Sequence, residues 1–340
     1  MEKSRERNSS LELLRIFAML MIIAHHFAVH GGFNFLVNSV TINRLWYQFI
    51  LMGNLGNNLF LFITGYFLVK SPGLKFLKLF NFWIKLFFYS VLFFYLFVFL
   101  GLENFSWKEA FGSLMLVPRT KWWFATTYFA LYLIHPYLNI LLNNLSREEY
   151  KKFLILIFTC WSIIPTLTSL PFEGSRLLSF VCLYSLAAYF RLWGQDFGNK
   201  KFIFYGIGFL LLNFLLTVSL DFAGLKIPAL GTYASYFSGM MSPLSILWTL
   251  FLFLGFLGLN IKNKFINLIG AATFGVYLIH EDMFIRPFLW FQLFKNASFQ
   301  DSPYLIPYSI FVVILVFIVC TLIEILRSKI FRLISRGRLS

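Results

Sequence analysis

The chain has 340 residues, 59% hydrophobic and 21% aromatic but only 13% charged, with a mean hydropathy of +0.76. No ordinary soluble domain is so apolar, so the composition points to a polytopic membrane protein. The net charge of +15 does not mark a nucleic-acid binder, because Lys and Arg fall in short gaps between apolar runs, the pattern of the positive-inside rule.

A helix that crosses a bilayer needs about 20 mostly apolar residues. Runs of that kind predict about ten spans: 11–31, 45–69, 80–101, 121–143, 153–170, 176–194, 202–220, 242–260, 266–286 and 304–326. The first follows the basic stretch MEKSRERNSS without a small-residue cleavage site, so it reads as a retained helix and not a signal peptide. The pair flanking Pro171-Phe172-Glu173-Gly174-Ser175 also fits a re-entrant hairpin. Gaps 102–120 and 221–241, rich in aromatics and Gly, read as membrane-surface segments or covers of a cavity mouth. No internal repeat of the kind found in inverted-repeat transporters is evident.

Alternating the gaps places 20 of the 29 Lys and Arg on one side. Both termini are therefore expected in the cytoplasm, with residues 1–340 forming one multi-pass domain of the plasma membrane. Cys160, Cys182 and Cys320 each lie inside an apolar run with no paired spacing, which suggests neither a disulfide nor a zinc site, and no metal is expected.

LELLRIFAMLMIIAHHF, residues 11–27, carries Arg15 near one end and His25-His26 well inside. An ionisable group at membrane depth is costly and is seldom without a partner or a task. Eleven residues make roughly 20° more than three full α-helical turns, so Arg15 and His26 share one face about 16 Å apart. His30 extends the stripe, while His25 points aside. Arg15 alone is also explained by snorkelling to lipid phosphates, and the histidines by bonds to neighbouring helices.

Polar groups recur in three later spans. GNNLFLFITGYFLVK holds Asn57, Asn58 and Thr64, with Gly65 allowing close backbone approach. WWFATTYFALYLIHPYLN places Tyr128, Tyr132, His135 and Asn139 on one stripe, and FGVYLIHED brings Tyr277 and His280 to one face beside Glu281 and Asp282. The fold class expected is thus an all-α integral membrane bundle with a polar interior cavity. Transporters, polymerases and acyltransferases all share that description.

Four segments carry a resemblance. Arg15 followed by His26, FLFITGYFLVKS (residues 60–71), WWFATTYFALYLIHPYLN (residues 122–139) and TFGVYLIH (residues 273–280) occur in the order and spacing of the membrane-bound acyltransferase 3 family. The chain resembles that family over its whole length. It departs in having Lys70, Lys75 and Lys78 where some branches carry paired arginines, and no appended esterase-like domain is expected.

The resemblance implies transfer of an acyl group, usually acetyl from cytoplasmic acetyl-CoA, to a hydroxyl of a cell-surface glycan, capsule or exopolysaccharide precursor. It selects His26 over His25 as general base, with a covalent acyl-histidine relay as the rival route. Arg15 is placed for CoA phosphates, and Lys70, Lys75 and Lys78 lie at the same face. Tyr128, Tyr132 or an asparagine is a candidate oxyanion donor, and His280 and Glu281 complete the catalytic candidates. Succinyl-CoA or another acyl thioester is left open as the donor, because pocket depth is not readable from the pattern. The alternative functions are a transporter or flippase, or a polymerase, of lipid-linked saccharides.

Overall fold

The computed structural model describes residues 7–36, 39–114, 122–168, 176–194 and 197–337, and among them every regular element is helical. Helix α1 (Ser9–Val29) starts at Asn8, whose side chain accepts the Leu11 amide proton, one of the four amides a helix start leaves unpaired. Helix α2 (Ile42–Leu51) is capped in the same way by Thr41. A 3₁₀ turn, Met52–Leu55, then separates it from α3 (Gly56–Leu68). The segment 45–69 that reads as one span is thus two helices, and Gly53 and Gly56 weaken helix formation where they part.

Helices α4 (Phe76–Phe99), α5 (Trp107–Leu114) and α6 (Trp123–Asn144) follow. Helix α7 (Arg147–Phe158) begins with a reciprocal cap between Ser146 and Glu149, then widens into a π-helical turn, Thr159–Ile163, before α8 (Ile164–Thr168). Pro165 has no amide proton for the Trp161 carbonyl, which favours an interruption there. The chain continues through α9 (Arg176–Trp193), α10 (Phe202–Gly224), α11 (Pro228–Thr232), α12 (Pro243–Leu257), α13 (Lys264–His280), α14 (Ile285–Pro287) and α15 (Leu305–Gly337). The suggested hairpin at 171–175, and Lys3, Arg5, Arg119, Lys121 and Arg338, lie outside the described residues.

Among the described residues six helical stretches are long and apolar enough to cross a membrane: Ser9–Val29, Phe76–Phe99, Arg147–Thr168, Phe202–Gly224, Pro228–Leu257 and Leu305–Ile334. A seventh is reached if Lys264–His280 and Ile285–Phe299, bent by 87°, are one span. The other sequence-predicted spans are helical but less apolar or broken: α6 carries His135, Pro136 and Asn139, and α9 has Arg176 and Arg191 near its ends. Outward faces of α4 and α15 expose Phe76, Leu77, Phe99, Phe311, Leu322 and Leu326, a surface suited to lipid and not to water.

The described residues of 1–34, 81–122 and 261–340 form one compact unit, and those of 35–80 and 123–260 form a second. In the first, α1, α13 and α15 pack together. Two glycines of α13 make room for buried carboxylates: a Cβ on Gly270 would lie 2.5 Å from Glu12 Oε2, and one on Gly275 would collide with the Glu324 side chain. Glu324 receives the Tyr89 hydroxyl at 2.6 Å, Lys85 Nζ at 2.9 Å and Arg327 through two N–H groups at 2.8 and 2.7 Å.

In the second unit α3 packs on α9 and α10 on α12. A Cβ at Gly65 would sit 2.6 Å from the Tyr184 carbonyl oxygen, so only glycine allows α3 to approach α9 this closely. Asn139 donates to the carbonyls of Leu68 and Ser71 at the end of α3 and accepts the Tyr184 hydroxyl at 2.6 Å. A buried ion pair links Arg44 of α2 to Asp221 of α10 at 2.6 Å.

Candidate active site

Within the first unit, the C-terminal ends of α1 and α13 bring four titratable side chains together. His26 lies in the last turn of α1, His30 caps that helix, His280 ends α13 and Glu281 caps it. His26 Nδ1 lies 2.9 Å from His280 Nε2. His280 Nδ1 in turn lies 2.6 Å from the carbonyl oxygen of Val276, four residues back.

These contacts fix the protons when both rings are neutral. A carbonyl oxygen only accepts, so His280 Nδ1 carries the proton and its Nε2 holds a lone pair. His26 Nδ1 must then be the donor between the two rings. Nε2 of His26 is left unprotonated, which is the form a general base requires.

Glu281 adds charge to this chain. Its Oε2 lies 3.3 Å from His26 Nδ1, and its Oε1 lies 3.4 Å from His30 Nε2 and 2.9 Å from Arg286 Nη1. The His26 and Glu281 side chains are only 7% and 5% exposed, whereas Arg286 is 38% exposed, so the carboxylate joins a buried imidazole to the surface. A proton taken up by His26 would meet a negative charge in a poorly solvated setting, where that charge acts strongly. His25 also contacts His26, with ring centroids 5.6 Å apart.

The ligand atoms of His26, His280 and Glu281 lie within 4.8 Å of one another, close enough for a small divalent ion to bridge them. The 2.9 Å nitrogen–nitrogen separation also matches an N–H···N hydrogen bond, and the Val276 anchor supplies the tautomer that bond needs.

Of the other sequence-predicted residues, Arg15 shares α1 with His26 and donates to Glu12 Oε1 at 2.6 Å. Glu12 is buried, lies on the same helical face three residues earlier and also meets Arg7 at 3.7 Å. Tyr128, Tyr132, Lys70, Lys75 and Lys78 belong to the second unit, where the three lysines are exposed and the Tyr132 hydroxyl accepts the Lys75 amide proton. His30, Arg286 and Glu12 are the members that sequence reasoning did not assign a part. The i to i+3 spacing of Glu12 and Arg15 was the available signal for one of them.

The fold and this cluster define a polytopic membrane protein with a buried pair of histidines in contact. Residues 8–325 match the acyltransferase 3 family, an acyltransferase domain, and the chain belongs to that family. No curated protein and no solved structure matches it.

Proposed function

We propose that the protein is an integral-membrane O-acetyltransferase that moves an acetyl group from cytoplasmic acetyl-CoA to a hydroxyl of a cell-surface glycan, capsule or exopolysaccharide precursor. The observation that carries this reading is the chain Val276 carbonyl, His280, His26, which leaves His26 Nε2 as a free base. Membership of an acyltransferase family supports the reaction type. In this scheme the protein crosses the plasma membrane about ten times with both termini in the cytoplasm.

The acceptor hydroxyl gives its proton to His26 Nε2 as its oxygen bonds to the acetyl carbon. The imidazolium formed faces Glu281 Oε2 at 3.3 Å. Collapse of the tetrahedral intermediate breaks the carbon–sulfur bond, and the leaving thiolate takes the proton back from His26 as CoA thiol. General base catalysis of this kind contributes about 10²–10⁴ in rate. Arg15 keeps guanidinium N–H groups beyond the one given to Glu12, and these suit a CoA phosphate.

The test uses the full chain in liposomes with radiolabelled acetyl-CoA and capsular or cell-wall glycan. Label should enter the glycan and be released by mild alkali, as an O-ester is. Movement of saccharide across the bilayer without acetyl-CoA would replace this reading with a transporter.

A further inference from the structure

The second unit holds a cavity of about 200 Å³, walled by the π-helical turn after α7, the 3₁₀ turn Tyr236–Ser238 and the start of α12. Three of its lining residues carry a buried polar atom that finds no hydrogen-bond partner: Trp161 Nε1, Ser162 Oγ and Ser242 Oγ. Ser162 is 2% exposed and Ser242 6%. Other buried polar atoms of the described residues are also unpaired, but these three gather around one cavity.

Local structure offers both serines an ordinary partner that they do not take. A helical hydroxyl commonly bonds the carbonyl four residues back, as Thr127, Thr217 and Thr249 do in this unit. Ser162 makes no such bond. Ser242 occupies the N-cap of α12 yet makes no capping bond, the usual employment of serine there. The π-helical turn that carries Trp161 and Ser162 is a rare distortion that is frequent at functional sites, and Phe288–Leu293 in the first unit forms another.

The rest of the wall is firm on one side and open on another. The Tyr236 hydroxyl donates to the carbonyls of Pro165 and Thr166, tying the 3₁₀ turn to α8. Gly239 is exposed, and a Cβ there would meet no described atom nearer than 3.9 Å, so the described residues leave this edge open.

Among the described residues the lining has no charged side chain, so a phosphate or ammonium headgroup would find no counter-charge from them. An acyl chain would leave all three polar atoms unpaired. An indole N–H donor, two hydroxyls able to donate or accept, and the aromatic side chains of Trp161 and Tyr236 in the lining match the alternating hydroxyl and C–H surfaces of a sugar. The volume is below the roughly 300–1,000 Å³ that encloses a drug-sized ligand, which limits occupancy to one ring of a longer chain.

We propose that this cavity is a saccharide subsite that grips a single pyranose ring of a glycan. The inference takes the glycan from the proposed function, but its test needs no acyl donor. The full chain in nanodiscs is offered a panel of methyl hexopyranosides and their 2-acetamido counterparts, with binding read by saturation-transfer NMR and equilibrium dialysis.

At least one member should bind, and binding should weaken at least tenfold in the Ser162→Ala/Ser242→Ala double variant and in Trp161→Phe, which keeps an aromatic six-membered ring but removes the indole N–H together with its five-membered ring. If no member of the panel binds, or if the well-folded variants bind as tightly as wild type, the subsite is refuted. Binding without acetyl transfer would sink the proposed reaction and leave the subsite standing.

Discussion

Glu281→Gln isolates the charge of the carboxylate while keeping its shape. At the 3.3 Å between Glu281 Oε2 and His26 Nδ1, a carboxylate and an imidazolium attract by about 5 kcal/mol at an effective dielectric constant of about 20. Part of that charge is already engaged by Arg286 at 2.9 Å and His30 at 3.4 Å, which lowers the expected loss to roughly 3 kcal/mol, or about 10²-fold in rate. Glutamine can still accept the Arg286 N–H, so the fold should survive. Transfer from radiolabelled acetyl-CoA, measured at varied donor concentration, should show a fall in kcat with an unchanged KM for acetyl-CoA, because the charge acts only when His26 holds the proton. A folded variant with kcat within about threefold of wild type would refute the role given to Glu281.

Three further outcomes follow from the same geometry. Asp221→Asn should destabilise the protein by about 3–5 kcal/mol by leaving Arg44 buried without its counter-charge, and Arg44→Met/Asp221→Leu should recover most of that loss in detergent melting curves. Gly65→Leu should lower the melting temperature or prevent folding, since the first side-chain carbon alone would lie 2.6 Å from the Tyr184 carbonyl oxygen. Chelation by EDTA should leave acetyl transfer intact; a loss restored by zinc would make His26, His280 and Glu281 a metal centre.

The parts of this protein legible in its sequence are those with a local signature. Apolar runs locate the helices, and the deep polar residues His26, His280 and Glu281 stand out because such groups are costly there. Their contact was not legible, since 254 residues separate the two histidines and only tertiary packing joins them. The polar stripe of α6 was visible as a stripe, yet its Asn139 holds the end of α3 by bonds to Leu68 and Ser71. Asp221 reads as the first residue of a surface gap, whereas α10 continues to Gly224 and buries it against Arg44. The break between α2 and α3 follows glycines that the hydropathy pattern alone passes over. The π-helical turn left one clue in Pro165, but nothing local foretold that Trp161 and Ser162 would share a cavity with Ser242.

The most direct test of the central claim is acetyl transfer by His26→Ala in liposomes beside the wild type. The variant should fold and insert normally yet transfer label to glycan about 10²–10⁴-fold more slowly. Equal transfer by a folded His26→Ala protein would contradict the assignment of His26 as the base.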